Sequence, residues 1–168
     1  FTEATLIKEL EEREIGRPST YASIIGTIQN RGYVYKKGTA LVPAWIAFSV
    51  IRLLEQHFGR LIEYSFTAEL EDVLDEVAGG REDRLHVLQQ FWSGQGEGDT
   101  GLKMLVQNLP DIDARGLATF PLGDDVDLRV GRYGPYVEGP PFTEDDEGKR
   151  VPTRGNVPQT HTELPVRI

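Results

Sequence analysis

Ile15-Gly16-Arg17-Pro18-Ser19-Thr20-Tyr21-Ala22-Ser23-Ile24-Ile25-Gly26-Thr27-Ile28-Gln29-Asn30-Arg31-Gly32-Tyr33-Val34-Tyr35-Lys36-Lys37-Gly38-Thr39-Ala40-Leu41-Val42-Pro43 is the stretch on which the fold turns. Gly16 permits a turn, Pro18 lacks the donor that a helix start leaves unpaired, and Ser19 or Thr20 can cap. Tyr21, Ile24, Ile25 and Ile28 then recur at i, i+3, i+4 and i+7, one face of a helix that Gly32 ends. Tyr33–Lys36, a Lys37-Gly38 turn and Thr39–Val42 follow as a short β-hairpin. Upstream, Thr2 caps a helix with Leu6, Ile7 and Leu10 on one side, and Gly16 stops it. Downstream, Pro43 opens a third helix, Ala44 to Phe58, apolar nearly all round and so expected to lie buried between layers.

Helix, tight turn, helix, two-stranded hairpin, helix is the order of a winged helix-turn-helix, in which one helix and the wing meet a phosphate backbone. Thr67 is placed to cap a fourth helix, with Leu70, Val73, Leu74 and Val77 inward, and a fifth carries Leu85, Leu88, Phe91 and Trp92. The Gly-rich, polar residues 93–100 read as a linker. Beyond them come a short helix, Gly101 to Asn108, and β-prone runs at Leu117–Phe120, Val126–Val130, Tyr136–Glu138, Lys149–Pro152 and Glu163–Ile168. The expected class is α+β: a mainly helical, winged-helix-like region over 1–92, then over 101–168 a small antiparallel β-sheet domain crossed by one helix.

The charge pattern points to a partner. The chain carries a net charge of -9, which by itself argues against nucleic acid. Residues 15–54 break that balance, holding Arg17, Arg31, Lys36, Lys37 and Arg52 and no carboxylate. This electropositive run covers the turn, the second helix and the hairpin and little else. At its centre, free amides at the start of the second helix favour an anion, and Arg17 adds a planar fork suited to phosphate. The competing reading is that Ser19 only caps and Arg17 only points to water.

Phe1-Thr2-Glu3-Ala4-Thr5-Leu6-Ile7-Lys8-Glu9-Leu10-Glu11 through Ile15-Gly16-Arg17-Pro18-Ser19-Thr20-Tyr21-Ala22, then Thr27-Ile28 to Arg31-Gly32-Tyr33-Val34, resembles the bacterial type IA DNA topoisomerases. Tyr64-Ser65-Phe66-Thr67-Ala68-Glu69-Leu70-Glu71 is similar to a later motif of that family. Val130-Gly131-Arg132-Tyr133-Gly134-Pro135-Tyr136-Val137-Glu138 resembles the C-terminal repeat of its zinc-free, actinobacterial branch, and the absence of cysteine agrees. One such repeat is visible, and the chain opens on Phe1 rather than Met, so a piece of a longer protein is expected.

The resemblance implies a parent enzyme that relaxes negatively supercoiled DNA. Such an enzyme cuts one strand through a phosphotyrosine link, passes the other strand and reseals, with Mg2+ as cofactor. The family's Thr-Tyr-Met-Arg-Thr-Asp-Ser-like nucleophile segment and Asp-x-Asp-x-Glu metal cluster have no counterpart here; Asp111-Ile112-Asp113 is followed by Arg115, not Glu. Tyr21 shares the face of Ile24, Ile25 and Ile28 and reads as core, so no catalytic residue and no cofactor are assigned to this chain. By the family match, Arg17, Ser19 and Thr20 contact the backbone of single-stranded DNA. Arg31, Lys36 and Lys37 join them on charge alone.

In the second half, Arg129, Arg132, Tyr133 and Tyr136 set cations and aromatic faces together on an expected hairpin, where a base can stack. Strand alternation places Tyr136 and Glu138 on one side and Val137 on the other. The Glu144–Glu147 run reads as a loop tip, and His57, His86 and His161 lie too far apart in sequence to suggest a metal site. Because the family assembles its strand-gripping domain from separated segments, apolar surface around Trp45, Phe48 or Trp92 is expected to be uncovered. A monomer in the bacterial cytoplasm, associated with the nucleoid, follows from the resemblance, with a protein such as RNA polymerase as a further partner. Two other readings fit the element order: a free-standing winged-helix regulator of duplex DNA, and a protein-interaction module.

Overall fold

The computed structural model describes residues 1–96 and 101–157. The elements run α1 (Glu3–Glu12), α2 (Tyr21–Asn30), β1 (Val34–Lys37), β2 (Ala40–Pro43) and α3 (Trp45–Phe58). A 3-10 turn (Gly59–Ile62), α4 (Tyr64–Ala78), α5 (Arg84–Ser93), α6 (Gly101–Gln107) and α7 (Ala114–Leu117) follow. The chain then forms β3 (Thr119–Gly123), β4 (Val126–Gly131), β5 (Gly134–Glu144) and β6 (Arg150–Asn156). The α+β class holds, helices first and then one four-stranded antiparallel sheet of order β3-β4-β5-β6.

Local chemistry sets the ends of the early elements. Thr2 caps α1 through a capping box with Thr5. The hairpin pairs β1 with β2 antiparallel, Lys37 opposite Ala40, so Gly38 and Thr39 form the loop and Gly38 takes a φ of 62°. α4 departs from expectation: it begins at Tyr64 with Glu63 at the cap position, and the Thr67 hydroxyl lies inside the helix, donating to the Glu63 carbonyl at 3.4 Å. Asp83 caps α5, accepting from the His86 amide at 2.8 Å.

The chain forms two compact units that do not follow a division at 93–100. One takes Phe1, Gly26–Arg52 and the described residues from Asp113 on; the other takes Thr2–Ile25 and Leu53–Ile112. Residues 97–100 and the β-prone run 163–168 lie outside the described residues, as does His161.

The first unit is built on the sheet. Trp45, Phe120 and Leu128 are its buried centre, with Phe48, Leu122, Val130, Val137 and Val157 packed around them. The helical side chains in this apolar core thus come from α3, while α6 packs with α5 in the other unit. Trp45 is therefore covered rather than bare: its ring stands 5.2 Å from Phe120 and 5.7 Å from Phe48. Arg52 lies 4.1 Å over the Phe120 ring and donates to the Thr119 carbonyl at 2.7 Å, so this cation of the carboxylate-free run belongs to the sheet.

In the helical unit Tyr21 and Ile25 are buried, in keeping with a core rather than a nucleophilic Tyr21. Phe66 stacks on Phe91 at 6.4 Å, and Arg13 lies 4.5 Å over Tyr64. Val73 and Leu74, expected to face inward, are exposed, as are Leu85, Leu88 and Trp92, because nothing among the described residues covers them.

Candidate nucleic-acid interface

Gly16 shapes the turn between α1 and α2 for two reasons. Its φ is +77°, and a Cβ there would stand 3.1 Å from Ile24 Cδ1 and 3.2 Å from both Thr20 Oγ1 and Tyr21 Cε1. Only glycine fits so close beneath the first turn of α2. The next residue is locked by Thr20, whose hydroxyl accepts from the Arg17 amide at 2.9 Å and donates to the Arg17 carbonyl at 3.0 Å. Ser19 stands exposed at the rim.

The Arg17 side chain does not point to water. Nε–H donates to Asp75 Oδ2 at 3.0 Å, and Nη2 reaches Asp72 Oδ1 at 3.0 Å and Asp75 Oδ2 at 2.9 Å. Nη1 donates to the Gly16 and Glu14 carbonyls at 3.0 and 3.3 Å. Four hydrogen bonds and a further charge contact to Asp75 thus engage all three guanidinium nitrogens. The Asp75 hydrogen bond, opposed by partial desolvation and reinforced by the Asp75 and Glu71 charges, holds Arg17 protonated even beyond the usual arginine range. The arginine is 29% exposed, yet its carboxylate partners are 70% and 58% exposed, so the ion pairs lie on the solvent side.

Arg31, Lys36 and Lys37 are exposed at the end of α2 and on β1, in the sheet unit, whereas Arg17, Ser19 and Thr20 belong to the helical one. The ten candidate residues are thus divided between two compact bodies.

In the sheet, register pairs Arg129 with Tyr136, Leu128 with Val137 and Asp127 with Glu138. Val137 packs into the core, which puts Tyr136 and Glu138 together on the opposite face. Glu138 is only 5% exposed and binds three guanidinium groups: Arg129, directly against it, and Arg115 and Arg154, each at 3.4 Å. Arg129 also donates to Thr119 Oγ1 at 2.8 Å and lies 3.6 Å from Asp127, so it is turned inward and committed. The Tyr136 ring lies over Gly131, where a Cβ would come within 3.0 Å of it, and Arg154 stands 5.5 Å from the same ring. Arg132 and Tyr133 occupy the β4–β5 tip, with Tyr133 92% exposed and Arg132 5.7 Å over its ring.

Sequence reasoning missed Asp72, Asp75, Arg115, Glu138 and Arg154. The i, i+3 spacing of Asp72 and Asp75 marks a common helix face but not the arginine that it meets. Among the described residues no group of three His, Asp or Glu stands close enough to hold a metal ion, and no helix is long and apolar enough to cross a membrane.

The DNA topoisomerase family profile matches residues 1–89. DNA topoisomerase 1 of Streptomyces coelicolor is 55% identical over 82% of this chain and 16% of its own length. That of Mycolicibacterium smegmatis is 52% identical over 96% of this chain and 19% of its own. The structure of full-length topoisomerase I from Thermotoga maritima aligns with a TM-score of 0.67 at 32% identity, covering 95% of this chain and 25% of that one. The chain therefore spans less than a fifth of the length of these curated relatives.

Proposed function

The chain belongs to the bacterial type IA DNA topoisomerase family, and from that premise we propose that it is a part of such an enzyme that grips single-stranded DNA without carrying the strand-cutting chemistry. The observation that carries this reading is the carboxylate-free run 15–54, set in an otherwise acidic chain and lying inside the family match. Arg31, Lys36 and Lys37 present cations at the solvent surface, and the Arg17–Thr20 turn holds backbone and hydroxyl groups beside a helix start. At the sheet tip, Arg132 and Tyr133 offer a cation and an uncovered ring to an unpaired base. Tyr136 contributes from the sheet face, and Arg129 supports that face through Glu138.

The relaxation of negatively supercoiled DNA by cutting, passing and resealing is assigned to the whole enzyme, with Mg2+ as its cofactor. The described residues supply no donor set that fits this ion, and no step through it is assigned to them. Action on DNA places the enzyme in the bacterial cytoplasm, at the nucleoid.

Fluorescence anisotropy with a labelled oligo(dT) tests the reading. Affinity should fall with salt at a log–log slope of about -0.7 per phosphate neutralised. Salt-insensitive binding, or a preference for duplex, would overturn it, the latter in favour of a duplex regulator. No DNA affinity at low salt, with a stable complex formed with RNA polymerase instead, would favour the protein-interaction reading, which draws on the exposed Leu74, Leu85, Leu88 and Trp92.

A further inference from the structure

The bonds of Arg17 divide by edge. Nη1 is anchored to two main-chain carbonyls of its own turn, Glu14 and Gly16. The other edge, formed by Nε–H and Nη2, is the side through which an arginine takes two oxygens of one phosphate in parallel. In this chain that edge faces Asp75 Oδ2, at 3.0 Å from Nε and 2.9 Å from Nη2, and Nη2 also donates to Asp72 Oδ1 at 3.0 Å.

We infer that Asp75 of α4, with Asp72 beside it on Nη2, occupies the phosphate-binding edge of Arg17 in the DNA-free protein, and that a backbone phosphate of single-stranded DNA displaces both carboxylates. The inference rests on the strand-gripping reading and adds to it two acidic residues that set its affinity. Three observations support an exchange rather than a permanent staple. The carboxylates are mostly solvent-exposed, and exposed ion pairs hold weakly, so water can take them over. The anchored Nη1 keeps the fork aimed in one direction while the partner on the other edge changes. The Arg17 backbone is fixed independently of both carboxylates by Thr20, so releasing them leaves the turn in place. The carboxylates also repel phosphate, so a strand is accepted only where several of its phosphates are held at once.

The test measures oligo(dT) affinity against salt for the full chain, comparing wild type, D72N/D75N, R17A and R17A/D72N/D75N. E55Q/E69Q removes two exposed carboxylates elsewhere in the helical unit and reports the effect of net charge alone. D72N/D75N should bind several-fold more tightly than E55Q/E69Q, and the gain should vanish when Arg17 is also removed. Relative to E55Q/E69Q, the salt slope should be unchanged, because wild type and variant end with the same phosphate contact. In the wild type, the Arg17 Nε–H resonance should shift as oligo(dT) is added, a readout that needs no variant to fold. A gain no larger than that of E55Q/E69Q, a gain that survives R17A, or an Arg17 resonance that stays still on saturation would overturn this inference alone. An absence of binding by the wild type and by every variant would overturn the strand-gripping reading and this inference with it.

Discussion

Glu138 on β5 lies directly against the Arg129 guanidinium of the neighbouring strand β4, and the carboxylate is only 5% exposed. This pair organises the polar face of the sheet, since Arg115 and Arg154 close on the same carboxylate from the end of α7 and from β6. Opposite it, Leu128 and Val137 close the apolar face.

Removing the carboxylate leaves Arg129, itself only 15% exposed, without its buried counter-charge. Glu138→Ala should destabilise the sheet unit by about 3 kcal/mol, the scale for breaking a buried pair from one side. Arg115→Ala removes a partner that is 70% exposed and should cost under about 1 kcal/mol. Urea unfolding followed by Trp45 fluorescence in a Trp92→Phe background measures both; equal effects would show that the cluster is not buried in solution.

Two glycines with similar backbones should respond differently. Gly16 and Gly32 have φ values of +77° and +70°, a conformation that costs an L residue about 1–2 kcal/mol. At Gly32 a Cβ meets nothing within 4 Å, so Gly32→Ala should lose that amount only. At Gly16 the Cβ also presses on Ile24, Thr20 and Tyr21, so Gly16→Ala should lose more and disturb the start of α2. Chemical denaturation ranks the two, and an amide spectrum shows whether residues 17–24 shift only in the first.

The elements were legible where period and punctuation agree. The Tyr21–Ile28 spacing, the Gly32 stop and the Tyr33–Val42 alternation each report on neighbours within one turn or one hairpin. The units were not legible, because Trp45 meets Phe120 across 75 residues and no local pattern records such a pairing. The candidate site divides in the same way. The motif around Gly16 and Arg17 locates the turn, since its glycine, proline and hydroxyl act within five residues. The carboxylates that occupy Arg17 come from α4, 55 and 58 residues away. Arg129 looked available because a strand period separates two faces but does not say which polar face holds a buried acid.

Tyr133 and Tyr136 separate binding from stability. Tyr133 is 92% exposed, so Tyr133→Ala should change the unfolding free energy by no more than about 0.5 kcal/mol. If its ring stacks on a base, oligo(dT) affinity should fall by about 1–3 kcal/mol. Tyr136→Ala uncovers Gly131 and removes the ring beside Arg154, and should cost about 1 kcal/mol of stability as well. Anisotropy and urea unfolding on both variants decide, and unaltered affinity in Tyr133→Ala would remove the tip from the interface.

Arg81 and Glu76 give a pH-dependent prediction outside the interface. Arg81 Nη2 donates to Glu76 Oε1 at 2.8 Å, and this hydrogen bond, aided by the arginine's charge, holds the Glu76 carboxyl below the usual carboxylate range. A carboxylate whose folded pKa lies below its unfolded one binds fewer protons folded than unfolded in the interval between the two. Its stabilising contribution is complete above the ordinary carboxylate pKa and is lost as pH falls through the lowered folded value. Arg81→Ala should therefore return Glu76 to the ordinary range and flatten its share of the acid-side loss of stability. A carboxyl NMR titration of Glu76 in both proteins measures this directly. An unchanged Glu76 titration in Arg81→Ala would mean that the pair at the end of α4 does not persist in solution.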